Sequence, residues 1–84
     1  DNERTANWSA EQLYAEAKGE LDSGNWDAAK KALQRLESRY PFGRFAQQAQ
    51  LDQAWASYKE GERAEALVSI ANSLDILAYK QFHK

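Results

Sequence analysis

The stretch that decides the fold is Gly24–Pro41, GNWDAAKKALQRLESRYP. Between a glycine and the chain's single proline lie sixteen residues without a helix breaker, with Ala29, Leu33 and Leu36 at helical spacing on one face. The spacing predicts a helix over about Trp26 to Arg39. Pro41 blocks its continuation and pushes Tyr40 out of α geometry. Upstream, DSGN marks a turn in which Gly24 can take positive φ. Before it, Leu13, Ala17 and Leu21 follow the i, i+4, i+8 pattern, with Tyr14 alongside. Ser9 stands as N-cap and Gln12 three residues on, as a capping box requires.

The same arrangement recurs 37 residues later. Gly24 is matched by Gly61, Ala17 by Ala54, Leu21 by Tyr58, Ala29 by Ala66 and Leu33 by Ile70. A third helix is expected over about Phe45–Glu60, carrying Ala54, Trp55 and Tyr58 and closed by Gly61. A fourth is expected from Glu62, aligning Ala66, Leu67, Ile70, Leu74, Leu77 and Ala78. A turn glycine, an aromatic two residues on, an alanine three after that and a closing proline form the tetratricopeptide pattern. Gly24, Trp26, Ala29 and Pro41 supply it in the first unit. In the second, Arg63 replaces the aromatic and Ala78 stands where the proline would be. The expected fold is all-α: tandem tetratricopeptide-like repeats, about four helices in a short right-handed superhelix. Residues 1–8 read as an N-terminal tail, 9–41 as the first repeat and 42–84 as the second, with an extended terminal helix.

Composition narrows the function. The 84 residues are 43% hydrophobic and 29% charged, as in an ordinary folded domain. A net charge of −2 with interspersed signs leaves no basic stripe for nucleic acid. No apolar run approaches the roughly 20 residues that span a bilayer. The opening DNERTANW lacks the charged-then-apolar order of a secretion signal and reads as a mature or trimmed chain. The absence of cysteine excludes disulfides and thiolate chemistry. His83 is the sole histidine, without clustered carboxylates, so neither a metal site nor a catalytic constellation is expected. Glu11, Glu16, Glu20 and Asp22 read as a solvated helix face. No cofactor and no enzymatic activity are expected.

Trp8–Gly61, and above all the combination of RYPFG, AQQAQLD and the alanine-spaced YK that follows, resembles BamD-type lipoproteins. These are the tetratricopeptide component of the bacterial outer-membrane β-barrel assembly machinery, and the resemblance extends to about Ile70. It implies a non-enzymatic protein on the periplasmic face of the outer membrane, held by a lipidated N-terminal cysteine. It further implies that N-terminal repeats meet unfolded outer-membrane protein segments and that C-terminal repeats dock other assembly-machinery subunits. Two departures stand out. The lipid-bearing cysteine is absent, so the chain as given is expected to be soluble. After Ile70, where the family shows an Asp-Arg-Phe-Ile type run and then a proline, this chain has Ala71, Asn72, Ser73 and Leu74.

Three candidate sites follow. The Tyr40–Pro41–Phe42–Gly43 corner offers two aromatics on a shaped turn; the plain alternative is that they plug the gap between repeats. By repeat position, the concave groove holds Tyr14, Lys18, Gln48, Leu51, Asp52, Trp55 and Lys59. Tyr14 and Trp55 would take an apolar anchor, and Lys18 and Lys59 a carboxylate, unless Leu51 and Trp55 are simply core. The last helix, apolar on more than one side, offers Leu74, Ile76, Leu77 and Phe82 for homo-oligomer formation or for covering the chain's own core. A binding module for outer-membrane protein segments is the leading expectation. A structural or engineered repeat scaffold, with the last helix as cap or self-association surface, is the alternative.

Overall fold

The computed structural model describes the backbone of residues 3–82 and side chains as far as Asn72. Three helices follow in chain order: α1 (Ala10–Asp22), α2 (Trp26–Arg39) and α3 (Ala46–Phe82). The first hairpin forms as its sequence predicts. Ser9 is extended at φ −72°, ψ 167°. Its hydroxyl accepts from the Gln12 amide at 3.2 Å, and its own amide donates to the Gln12 side chain at 2.8 Å, closing the capping box. At the other end Gly24 has φ 76°. Its amide donates to the Leu21 carbonyl at 3.1 Å and that of Asn25 to the Glu20 carbonyl at 2.9 Å. These are the two bonds of a Schellman motif, which need a residue at ease in the left-handed region.

The core lies between the hairpin and the first half of α3. Leu13, Ala17, Ala32, Leu33, Leu36 and Ala49 form one buried cluster, flanked by Trp8, Ala10, Tyr14 and Phe45. Leu21, Ala29 and Ala56 form a second, with Trp26 against it. Each fully buried leucine contributes about 1.5–3 kcal/mol. The alanines of α2 and α3 let those helices approach closely. They run antiparallel: the Gln53 amide donates to the Glu37 carboxylate near one end, and Lys30 pairs with Glu60 at 2.6 Å near the other. On α3 the contact therefore follows Ala49, Gln53, Ala56 and Glu60, a 4–3–4 spacing typical of a helix seam.

Two expectations are corrected. Gly61 does not close a helix, and the fourth helix is not separate: α3 runs 37 residues without interruption. Gly61 has no positive φ, and a Cβ added there would meet nothing within 4 Å. Its neighbours Lys59, Glu60, Glu62, Arg63 and Ala64 are strong helix formers, whereas Gly24 sits among Asp22, Ser23 and Asn25. One glycine costs a helix only about 1 kcal/mol, less than ending it without caps. The repeat alignment also placed Ala54 as the small packing residue of the third helix. Ala54 is exposed, and Ala49 and Ala56 carry the contact.

The stretch read as a tail is packed. Thr5 is fully buried. The Arg39 guanidinium donates to its carbonyl and, at 3.1 Å, to its hydroxyl. Arg4 pairs with Glu16 and lies 5.0 Å over the Trp8 ring. Among the described residues no helix is long and apolar enough to cross a membrane.

The two glycines should respond oppositely to alanine. Gly61→Ala should raise thermal stability and helicity, by about 1 kcal/mol, while Gly24→Ala should destabilise by at least as much. Paired denaturation curves followed by far-UV circular dichroism check both; a loss of stability in Gly61→Ala would mean that α3 turns there.

Candidate functional site

Four expected groove residues share one face of α3, because Gln48, Asp52, Trp55 and Lys59 stand at i, i+4, i+7 and i+11. α1 brings Tyr14 to the same place. The Tyr14 hydroxyl donates to Asp52 Oδ2 and the Gln48 amide to Oδ1, both at 2.8 Å, so each carboxylate oxygen accepts one bond. Phe45, at the foot of α3, stacks on Tyr14 with ring centroids 4.8 Å apart and planes 6° from parallel. The Arg44 guanidinium lies 5.1 Å from the Phe45 ring centre. Burial first, and then the bond to Asp52, push the Tyr14 phenol up to about 12. The pair is thus held with the phenol neutral and the carboxylate as acceptor.

One turn further along, the face becomes apolar. Trp55 and Tyr58 meet with centroids 5.8 Å apart, and the Lys59 ammonium lies 5.4 Å from the Trp55 ring centre. Leu51, Trp55 and Tyr58 are between 51% and 62% exposed, so they are not the inter-helix core that a plain reading of Leu51 and Trp55 would make them. Both lysines already hold carboxylates: Lys59 pairs with Glu62 at 2.8 Å and Lys18 with Asp22 at 3.5 Å. The bond to Glu62 raises the Lys59 ammonium above its ordinary value. Exposed pairs of this kind are worth at most about 1 kcal/mol, so an incoming carboxylate can exchange with them.

The Tyr40–Gly43 corner divides its two aromatics. The Tyr40 hydroxyl donates to the Trp8 carbonyl at 2.8 Å, which ties the corner to the N-terminal segment. The Gly43 amide donates to the Tyr40 carbonyl at 3.0 Å, closing a four-residue turn. A Cβ on Gly43 would stand 3.2 Å from both Tyr40 Cβ and the Tyr40 carbonyl oxygen, so this glycine serves close approach rather than left-handed backbone. Phe42 is 99% exposed at the apex and plugs nothing. Phe45, not Phe42, joins the corner to the groove. Phe45 is not among the groove residues expected from the sequence, although Phe45, Gln48 and Asp52 at i, i+3 and i+7 carry the signal of a shared face.

The side chains of Leu74, Ile76, Leu77 and Phe82, expected to self-associate, lie outside the described residues, as does His83. Among the described residues no three His, Cys, Asp or Glu side chains gather where a metal ion could be held. The described face combines a carboxylate-centred polar row, an exposed aromatic–aliphatic strip and two ammonium groups held in exposed pairs.

Because the folded phenol of Tyr14 titrates above its unfolded value, its contribution to stability is complete below about pH 10 and lost as pH rises through about 12. Tyr14→Phe should cost about 1 kcal/mol at neutral pH and remove that alkaline loss. Urea denaturation at pH 7 and pH 11, with a tyrosinate absorbance titration, checks it. A late-titrating phenol that survives in Tyr14→Phe would assign the shift to another tyrosine.

The family described as outer membrane lipoprotein, YfiO, matches residues 6–78. The chain is 51% identical over 70 residues to the outer membrane protein assembly factor BamD of Neisseria meningitidis serogroup B, covering 83% of this chain and 26% of that protein. The BamD of Vibrio cholerae is 48% identical over 59 residues, 70% of this chain and 24% of the relative. That of Xylella fastidiosa strain 9a5c is 38% identical over 60, 71% of this chain and 20% of the relative. The chain spans about a quarter of the length of the first of these relatives. No solved structure matches it. With a hairpin, a groove face and a sequence match that all fall within residues 6–78, the chain belongs to the YfiO outer membrane lipoprotein family.

Proposed function

We propose that this chain is a non-enzymatic, protein-binding part of an outer-membrane protein assembly factor, acting on the periplasmic side of the outer membrane. Its ligands are unfolded outer-membrane protein segments, and assembly-machinery subunits are further partners. The observation that carries this reading is the strip Leu51, Trp55 and Tyr58, half-exposed on a rigid helix beside the Tyr14–Asp52–Gln48 row. A helix face of this kind suits an extended segment with alternating side chains. An apolar residue packs on Trp55 and Tyr58, where large aromatic surfaces supply most of the affinity. Backbone amides of the segment meet Asp52, and a terminal or side-chain carboxylate displaces Glu62 or Asp22 from Lys59 or Lys18. Phe42 adds a second anchor at the corner, presented without any intramolecular partner to lose. The family membership supports the process, since the relatives are named for outer membrane protein assembly.

The test is an amide-shift titration of labelled chain with a peptide from the C-terminus of an outer-membrane β-barrel, alongside a scrambled peptide and a record of particle mass. Saturable shifts at Tyr40–Gly43, Leu51, Trp55, Tyr58 and Lys59, absent with the scrambled sequence, are expected. Trp55→Ala should weaken binding about 10- to 30-fold, the usual effect of removing an aromatic anchor. Equal responses to both peptides, or saturable binding unaffected by Trp55→Ala, would remove the groove from the function.

A further inference from the structure

The carboxylate at the centre of the groove is held in place but not neutralised. Asp52 is half-buried and accepts from the Tyr14 hydroxyl at Oδ2 and from the Gln48 amide at Oδ1. Both donors are neutral, and among the described residues no cation pairs with it. The charges on either side are already matched. Lys18 pairs with Asp22 and Lys59 with Glu62, so each ammonium is cancelled locally. Arg44 lies over the Phe45 ring rather than on the carboxylate. Tyr14 registers the leftover charge: after burial and the hydrogen bond itself, the negative charges of Asp52 and then Asp22 raise its phenol further.

We propose that Asp52 is a recognition site for a guanidinium group, so that the groove selects segments carrying an arginine beside an apolar residue. This selectivity rests on the peptide-binding reading above and adds the chemical class of the segment. Three observations select a guanidinium. The first is charge complementarity. A backbone amide would fill an acceptor position on Asp52 but leave its charge unmatched, and a half-buried charge is screened less by salt than an exposed one. The second is the number of open acceptor positions. A carboxylate offers about four, and each oxygen of Asp52 has one bond, so both oxygens can accept again. A planar, two-pronged donor meets both at once, which a single ammonium does not. The third is the company of aromatic rings. The Tyr14–Phe45 stack stands on one side of Asp52 and Trp55, three residues on, stands on the other. Both sides already carry cations over their rings, Arg44 at 5.1 Å from Phe45 and Lys59 at 5.4 Å from Trp55.

The spacing sets a register. Trp55 follows Asp52 by about 4.5 Å along the helix, at 1.5 Å per residue. Side chains on one face of an extended segment recur about every 6.6 Å, and the long stem of an arginine spans the difference. The arginine therefore stands two places from the apolar residue that packs on Trp55. Every group in this arrangement belongs to residues 14–62, and α1 supplies one of the two donors, so the site draws nothing from the later turns of α3.

Calorimetric titration of the 84-residue chain with two peptides tests it. Both carry one barrel C-terminal sequence, with either arginine or its neutral isostere citrulline two places from an aromatic residue. The arginine peptide should bind about tenfold more tightly, as a charge-assisted pair at a half-open site allows. Asp52→Asn keeps the size of the side chain and an acceptor for Tyr14. In that variant the preference should fall to within about twofold, while the citrulline peptide binds as before and so reports an intact fold. Glu65→Gln removes the same unit of charge about 20 Å further along α3 and should leave the preference unchanged. In labelled chain, the Gln48 side-chain amide that bonds to Asp52 should shift with the arginine peptide and not with the citrulline one. Equal binding of the two peptides, or an arginine preference that survives in Asp52→Asn, would overturn the proposal and leave the groove's role standing. Binding of neither peptide would sink both.

Discussion

The structure depends on the closeness with which α3 can approach α2. That closeness is set by alanines: Ala29 and Ala32 on α2, and Ala49 and Ala56 on α3, all buried. Larger side chains at these places would hold the axes apart and open the space that Leu33 and Leu36 now fill. The approach also fixes the rotation of α3 about its axis. With Ala49 and Ala56 against α2, Gln48 and Asp52 turn toward α1, and Leu51, Trp55 and Tyr58 turn outward. The polar row and the apolar strip are therefore not independent inventions of the surface. They follow from which residues of α3 are small.

A second consequence is that the groove is keyed at its foot. Tyr14 makes its stack with Phe45 and its hydrogen bond to Asp52 from one side chain, and those partners stand seven residues apart on α3. A helix end and a point two turns up are thus referenced to the same atom group on α1. The resulting face is preorganised, as the proposed binding of a segment there would require.

The sequence made the first hairpin legible because every signal there agreed. Ser9 and Gln12 cap α1, Gly24 among Ser23 and Asn25 ends it, and Pro41 stops α2. Around Gly61 the signals conflict: the 37-residue repetition speaks for a turn, while the flanking Lys, Glu and Ala speak for a helix, and in this fold the local preference prevails. The groove residues were legible as a shared face, since helical spacing alone brings Gln48, Asp52, Trp55 and Lys59 together. What spacing could not give was depth. It placed Ala54 inside, although the packed alanines are Ala49 and Ala56, because amphipathicity on a helix that is apolar on several sides does not mark which side meets α2. The burial of Thr5 was illegible for a different reason: it rests on an arginine 34 positions away that reads as an ordinary helix-end cation.

That last contact has a mechanical meaning. Arg39 and Tyr40 are adjacent, and between them they hold the backbone of the N-terminal stretch at two points, the Thr5 and Trp8 carbonyls. The stretch is in effect a guy-line made fast to the end of α2. Arg4 adds a third tie, to Glu16 on α1, so tension entering the chain from upstream is shared between α1 and the bend that displays Phe42. The bend is thus an anchorage for the N-terminal stretch as well as a display of Phe42.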